Sequence, residues 1–433
     1  MKTADVIIIG AGAAGLACAK VLKENGKKIV ILEARKRVGG RAFSFDFPTF
    51  SQPIEFGAEF IHGAPPVLLQ LFEQQRMDFN DVSDRHLYFS IGKMKQETDF
   101  WERLQKVTDR LNAQRKKDRS VREFLDAQKN KIPKELRDIF TAYVEGFQAA
   151  DLEKMGEKAL AKTEQDEEGN LNGAQLFRPN DGYSVFFREF ISTNQLSSNI
   201  HLQTLVRHVQ WKNNSVMIHA LEKGRKTSYS AKRVVITVPL GVLKDKNPTS
   251  MIEFLPSIPE IHEDLQNLHM GHVQRISFHF KTRFWEKNKK EPIGFMHAGP
   301  GNLFPAWWTQ MPVRSPVLIA WQGGPKAEEL GQRPVGERVD CALETLAKMT
   351  GHTKQFLKNQ LIAYYTHNWS QDPYAMGAYS YTGLDIGKKP KLNIKNTLFF
   401  AGESFAEASE QGTVHGALRT GYDAANKILK IKT

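Results

Sequence analysis

The sequence predicts an α/β fold organised around a Rossmann-like dinucleotide-binding unit, and three observations carry that reading. Asp5–Ile9 is a short, continuous apolar run, as expected of a parallel strand buried on both faces. Gly10, Gly12 and Gly15 follow at once in the G-x-G-x-x-G spacing, before an amphipathic stretch, Leu16–Leu22, and a second apolar strand, Ile29–Leu32, that ends on Glu33. Far down the chain, Arg233–Pro239 and Thr397–Glu403 read as further buried strands that return to the same sheet and complete the site opened by Gly10.

Each part of the first unit has a task. Gly10 permits the tight turn, Gly12 lets backbone N–H groups approach a pyrophosphate, and Gly15 lets helix and strand pack closely. The helix N-terminus offers unpaired donors and a positive dipole end to the phosphates, and Ala13 and Ala14, within the glycine turn, count with the cofactor site. Glu33 is placed to accept both ribose hydroxyls of an adenosine. A glycine pattern alone is weak evidence. A strand before it, a helix after it and an acid closing the next strand leave an ordinary strand–helix turn a poor reading.

Length and composition set bounds. At 433 residues the chain holds two domains, or one large domain with insertions, with a substantial core. It is 41% hydrophobic and 25% charged, with a net charge of +12. The basic residues are spread out, with short clusters only at Lys287–Lys290 and Lys388–Lys391, so a solvated basic surface is favoured over a nucleic-acid partner. Cys18 and Cys341 are too few for a disulfide framework. No apolar segment approaches the length of a membrane span, and the first strand starts almost at Met1, so the expectation is a cytoplasmic protein without a membrane partner. No metal site is expected.

Along the chain, Ile54–Gly63 carries small residues, Gly57-Ala58, where a flat ring system needs close backbone approach. Residues 66 to 160 lose glycine and gain helical periodicity, as in Phe100–Leu111, Val121–Ala127 and Glu135–Phe147; this reads as a helical insertion. Glu164–Asn172, acidic with glycine and asparagine, reads as a solvated loop. Strands dominate from about 200: Ile200–Leu202, Val206–Trp211, Val216–Ala220, Lys226–Ser230, Arg233–Pro239 and Val273–Phe280. From 290 to 385 the chain is rich in tryptophan and tyrosine, which suits an aromatic-walled cavity or an ordinary core about equally.

Four separated blocks, in order, resemble the flavin-containing amine oxidases, in the branch of polyamine oxidases, spermine oxidases and lysine-specific histone demethylases. They are GAGAAGL…EAR…GGR (Gly10–Arg41), Phe56–Gly63, VITVPLGVL (Val235–Leu243), and Trp369–Tyr381 with Phe400–Ala417. The resemblance covers nearly the whole chain. It implies a Rossmann-like FAD-binding domain from 1–80, 201–285 and 390–433, interleaved with an α+β substrate-binding domain from 81–200 and 286–389.

It also implies site roles. Glu33, with Ala34 and Arg35, would hold the adenosine ribose, while Gly40 and Arg41 meet the phosphates or ribityl chain. Val206 would contact adenine through its backbone; Gly402 and Glu403 would lie on the ribityl hydroxyls. Gly57, Ala58, Thr413 and Val414 would lie against the isoalloxazine, and Glu59, Trp369 and Gly412 would also belong to the cofactor site, Trp369 suiting a loop tie as much as a substrate contact. Tyr379 matches one of two aromatic walls at the substrate, but Thr413 stands where the other would be, as in the demethylases. His62 matches a histidine near the substrate. Arg275 replaces a lysine that serves the oxygen half-reaction; arginine is bulkier and stays protonated. Ala378 replaces the cysteine that tethers flavin in monoamine oxidases, so FAD is expected to be non-covalent. Asp372 matches as well, and suits a loop tie as much as a substrate contact.

The implied reaction converts a primary amine or polyamine to an imine by hydride transfer to flavin, with O2 or another acceptor taking the electrons and H2O2 forming when it is O2. Two alternatives remain. An L-amino-acid oxidase or desaturase on the same fold needs, for the amino acid, a cation such as Arg275 or Arg178. A flavoprotein kept as a binding scaffold is the other.

Overall fold

The computed structural model describes the chain apart from residues 1, 48–49, 51, 83–84, 91–92, 97–98, 171–174, 287–291, 300, 385–389 and 432–433. The cluster Lys287–Lys290 and the lysines 388 and 389 therefore lie outside the described residues.

The nucleotide sheet has six strands in the order Ile200–His201, Ile29–Leu32, Val6–Ile9, Arg233–Ile236, Leu398–Phe400, Asn393–Ile394. The first five run parallel and the last antiparallel. Ile7 stands opposite Val30 on one side and Val234 on the other, and Val234 opposite Leu398, so segments hundreds of residues apart become neighbours. Side chains alternate across a strand. Val6, Ile8, Ile31, Val235 and Phe399 accordingly pack with the helices Ala13–Glu24 and Val414–Leu429. Ile7, Ile9, Leu32, Val234 and Phe400 face a second core, built with the antiparallel strands Thr204–Lys212, Ser215–Glu222 and Arg225–Ala231. Both faces are covered, which is why these strands read as unbroken apolar runs.

A seven-stranded sheet forms the other half, in the order Leu361–Thr366, Val273–Phe280, Val317–Gly323, Ala306–Thr309, Phe295–His297, His86–Ser90, Lys93–Gln96. Strand Val273–Phe280 pairs antiparallel with two strands of this sheet. A division that keeps residues up to 285 with the nucleotide sheet is therefore displaced, and the chain crosses over before Val273. Helix Gly182–Thr193 departs in the opposite sense. Assigned from sequence to the substrate part, it packs Tyr183, Phe186 and Phe187 into the core beneath the nucleotide sheet. Its first turn is held by the buried carboxylate of Glu55, which accepts from the Tyr183 N–H at 3.0 Å and the Ser44 hydroxyl at 2.8 Å. Burial pushes the Glu55 carboxyl up to about 7 against those hydrogen bonds.

The helical insertion contains Phe100–Thr108, Val121–Ala127, Lys134–Gly146 and Glu157–Asn170, around a separate core that includes Val107, Phe124, Phe140 and Leu160. Ser120 starts its second helix with a capping box, its hydroxyl on the Glu123 N–H and the Glu123 carboxylate on its own N–H. The acidic run from Glu164 to Asn170 is helical, not a loop. The helix is anchored upstream, where the buried Glu157 carboxylate pairs with Arg119 at 2.6 Å and Leu160 enters the core; that tertiary hold overrides the weak propensity of its tail. Residues 171–174 of that expected loop are outside the described set. Among the described residues, no helix is long and apolar enough to cross a membrane.

Candidate active site

A cavity of about 2330 Å³ is lined by the glycine turn after the first strand, by rings of the seven-stranded sheet and by the end of helix Lys134–Gly146. Strand alternation divides the aromatic residues that composition left ambiguous. On Ala306–Thr309, Trp307 is buried in the core behind the sheet while Trp308 lines the cavity. Trp321 and Tyr379 line it also.

At the nucleotide end, Gly12 is the N-cap of the first helix and no side chain caps that terminus. Gly12, Ala13 and Ala14 line the cavity there, so the first-turn N–H groups stand available to an anion. A Cβ on Gly12 would find nothing nearer than the Gly40 Cα at 4.0 Å, and one on Gly40 would lie 3.5 Å from the Gly12 Cα, so the two glycine turns lie side by side in the cavity wall. Gly15 is different: a Cβ there would come within 2.0 Å of the Gly10 carbonyl oxygen, so it is needed for helix–strand packing and does not line the cavity. The Glu33 carboxylate accepts from the Ala11 N–H and the Arg35 N–H, both at 2.8 Å. Those two bonds fix both oxygens at the cavity edge with lone pairs left for a diol. Val206, in a strand with a bulge between Val206 and His208, lines the same end. The residues present fit an adenine dinucleotide.

Arg35 turns away from that end. Its guanidinium makes a bidentate pair with Asp372, 2.7 Å on each arm, and lies over the rings of Trp369 and Tyr374. Burial would raise the Asp372 carboxyl, but His367 and Arg35 together hold it well below the usual carboxylate range. Asp372 is thus a loop tie, outside the cavity wall, and it fixes Trp369, whose indole N–H donates to the Phe56 carbonyl at 2.7 Å. Glu403 is a hub: one oxygen takes Arg41 at 2.8 Å, the other the Ser380 hydroxyl at 2.7 Å and the Gly412 N–H at 3.1 Å. A Cβ on Gly57 would lie 1.7 Å from the Arg41 carbonyl oxygen, so this wall has room for glycine alone.

Arg275 is held in place. It pairs with Glu59 at 2.7 Å and reaches the Gly57 carbonyl at 3.2 Å. The other Glu59 oxygen takes Arg178 at 2.8 Å, and the Trp308 indole N–H donates to the first at 3.1 Å. Burial lowers the Arg275 pKa while Glu59 and Glu55 raise it, leaving a net downward shift. Arg178 donates from all three of its nitrogens, to Glu59 and to the carbonyls of Met311 and Thr309, and does not line the cavity.

At the substrate end, the Tyr379 hydroxyl donates to the Phe147 carbonyl at 2.7 Å, and burial pushes its pKa up, so it stays protonated. His62 stands edge-on to the Phe147 ring at 5.3 Å; burial lowers its pKa to about 4, which keeps it neutral at physiological pH. Thr413 caps the last helix. Its hydroxyl donates to the Glu410 carbonyl at 2.6 Å and accepts from the Gly416 N–H at 3.0 Å. Apart from Gly15, every cofactor or catalytic candidate named from the sequence lines this one cavity. Sequence reasoning did not single out Phe147, Tyr143 or Trp308 as site residues. The first two lie on the insertion, where nothing but helical periodicity marks them.

The comparisons agree with this geometry. A family profile described as flavin containing amine oxidoreductase matches residues 13–429. Polyamine oxidase 4 of Oryza sativa subsp. japonica is 28% identical, over 98% of this chain and 88% of its own. Lysine-specific histone demethylase 1 homolog 3 of Arabidopsis thaliana is 27% identical over 98% of this chain, which spans 30% of that protein. Among solved structures, putrescine oxidase bound to putrescine superposes with a TM-score of 0.81 at 18% identity, over 99% of both chains. Cyclohexylamine oxidase from Brevibacterium oxydans IH-35A gives 0.80 at 19%, over 98% of both. With its profile matched almost end to end and its dinucleotide crevice opening onto an aromatic cavity, the chain belongs to the flavin-containing amine oxidoreductase family and is an FAD-dependent enzyme that oxidises amines.

Proposed function

We propose that the enzyme converts primary amines, including the terminal amines of polyamines, to imines, with FAD held without a covalent bond and with O2 taking the two electrons from the reduced enzyme to give H2O2. The observation that carries the substrate class is the engagement of the two arginines the sequence offers for a carboxylate. Arg178 lies outside the cavity lining, bonded to Glu59 and two carbonyls, and Arg275 is paired with Glu59 and the Gly57 carbonyl. That favours amines over L-amino acids. Support also comes from relatives named for polyamines and from a similar fold solved with putrescine.

Bound FAD supplies the acceptor for a hydride from the carbon next to nitrogen. The chain's own residues prepare the amine. An ammonium entering among Tyr379, Phe147, Trp308 and Trp321 loses water, which lowers its pKa and favours the neutral form. Neutral His62 adds no positive charge that would repel the cation as it enters. Arg275, locked between Glu59 and the Gly57 carbonyl, is a fixed positive charge in the wall. Glu33, the uncapped first helix, Arg41 and Glu403 are the groups we assign to FAD. A cytoplasmic setting belongs to this reading, supported by two unpaired cysteines.

Two measurements test it. Acid precipitation should leave yellow FAD in the supernatant, because Ala378 offers no sulfur to bond it; flavin retained in the pellet would overturn the non-covalent assignment. An aerobic screen should give peroxide from amines and none from L-amino acids. The acid limb of kcat/KM should move with the pKa of the amine used, because His62 titrates near 4. A limb fixed near pH 6.5 for every amine would instead assign the ionisation to the protein.

A further inference from the structure

We propose that Phe147 is the second aromatic wall of the substrate slot, facing Tyr379, and that the Tyr379 and Trp321 side chains set its position. The inference rests on the amine reading and names the part of the amine it selects: the carbon substituent.

The site lacks a ring where the last helix begins. Thr413 lines the cavity, but its hydroxyl is consumed by the helix cap, one bond given and one taken. The ring comes from elsewhere. Helix Lys134–Gly146 ends at the cavity, and Phe147 is its C-cap residue, bonded through its N–H to the Tyr143 carbonyl at 2.8 Å. The Phe147 side chain is 42% exposed and lines the cavity, unlike most phenylalanines of this chain, which are packed away. Tyr143 stacks on it at 5.4 Å and 15°, and His62 meets it edge-on, so the phenyl is braced on two sides. An apolar ring held open at a cavity wall gains when an apolar group covers it.

The last carbonyls of a helix have no intrahelical donor. Here two of them are satisfied by cavity residues. The Trp321 indole N–H donates to the Gly146 carbonyl at 2.9 Å, and the Tyr379 hydroxyl donates to the Phe147 carbonyl at 2.7 Å. The seven-stranded sheet and the segment that enters strand Ser380–Thr382 thus both pin the helix end that carries Phe147. Tyr379 is itself clamped, its carbonyl accepting from the Gly271 N–H at 2.7 Å. A wall tied in this way is set before substrate arrives, which lowers the ordering cost of binding. The ligand it fits is an amine whose substituent is an unbranched alkyl chain or a flat aryl ring.

The test uses the FAD-loaded enzyme with benzylamine, n-hexylamine and ethylamine. Phe147→Ala should raise KM for the first two about 10-fold or more while ethylamine changes little. Phe147→Tyr should restore most of the loss. Tyr379→Phe keeps the ring and removes the donor; it should raise KM for benzylamine in the parent and have no further effect in the Phe147→Ala background. Equal changes for ethylamine and benzylamine in Phe147→Ala, or a Tyr379→Phe effect that persists undiminished in that background, would overturn the wall while leaving amine oxidation intact. A parent enzyme that no amine reduces would overturn both.

Discussion

Glu59→Ala should cost about 3–5 kcal/mol of folding stability, the penalty for stripping the counter-charge from buried cations. Glu59 is 6% exposed and is the carboxylate on both Arg178, 4% exposed, and Arg275, 6% exposed. It also accepts from the Trp308 indole, so one side chain joins the loop after the Ile54–Glu55 strand to three strands from two sheets. Its loss leaves two buried guanidiniums without their counter-charge and an indole N–H without its acceptor. Glu59→Gln keeps an acceptor for Trp308 and for one arginine and should be milder. Urea unfolding followed by circular dichroism reads the difference. A Glu59→Ala midpoint equal to the parent's would mean that the three contacts carry no net energy, and that Arg275 is not fixed in the way argued above.

Gly12→Ala should leave folding nearly untouched and weaken FAD binding about 100-fold or more, the equivalent of a few charge-assisted bonds. The backbone at Gly12 is extended, at φ −82° and ψ −174°, which alanine adopts without strain, and its Cβ would meet nothing closer than 4.0 Å. The methyl would instead stand at the junction of the Gly12 and Gly40 turns, on the cavity wall where we place the pyrophosphate. Gly15→Ala is the contrast. Its Cβ would strike the Gly10 carbonyl oxygen at 2.0 Å, so it should lower the thermal midpoint of the flavin-free protein as well. The ratio of flavin to protein absorbance after purification, with melting of the flavin-free forms, separates the two effects. Gly12→Ala that purifies fully yellow would remove the pyrophosphate from this wall.

What the sequence made legible was local. A strand, three glycines, a helix and an acid in succession specify a nucleotide-binding turn because each residue answers to a neighbour a few positions away. The buried strands at Arg233 and Leu398 were readable for a similar reason: a strand covered on both faces must be apolar throughout. The crossover at Val273 was not. Val273–Phe280 mixes apolar residues with Gln274, Arg275, Ser277 and His279, and only pairing with Val317–Gly323 and Leu361–Thr366, far along the chain, tells which sheet it joins. Glu164–Asn170 misled because acidic, glycine-bearing composition speaks for solvent, whereas the helix is secured at its buried first turn by Glu157 and Arg119. For Asp372 the motif gave two roles of equal weight, and the bidentate pair with Arg35 decides for the loop tie. Phe147 carries no motif. Its place depends on where a helix ends in space and on donors from two distant segments, neither of which has a local signature.

The most direct test of the central claim is an anaerobic titration of the FAD-loaded enzyme, reading the visible flavin absorbance as substrate is added. With oxygen absent, reduction by substrate is separated from whatever acceptor follows. We predict that benzylamine or putrescine bleaches the flavin within the mixing time of a turnover experiment, and that L-amino acids leave it yellow. Bleaching by an L-amino acid with no response to any amine would contradict the account, for it would require a free cation where Glu59 holds both arginines.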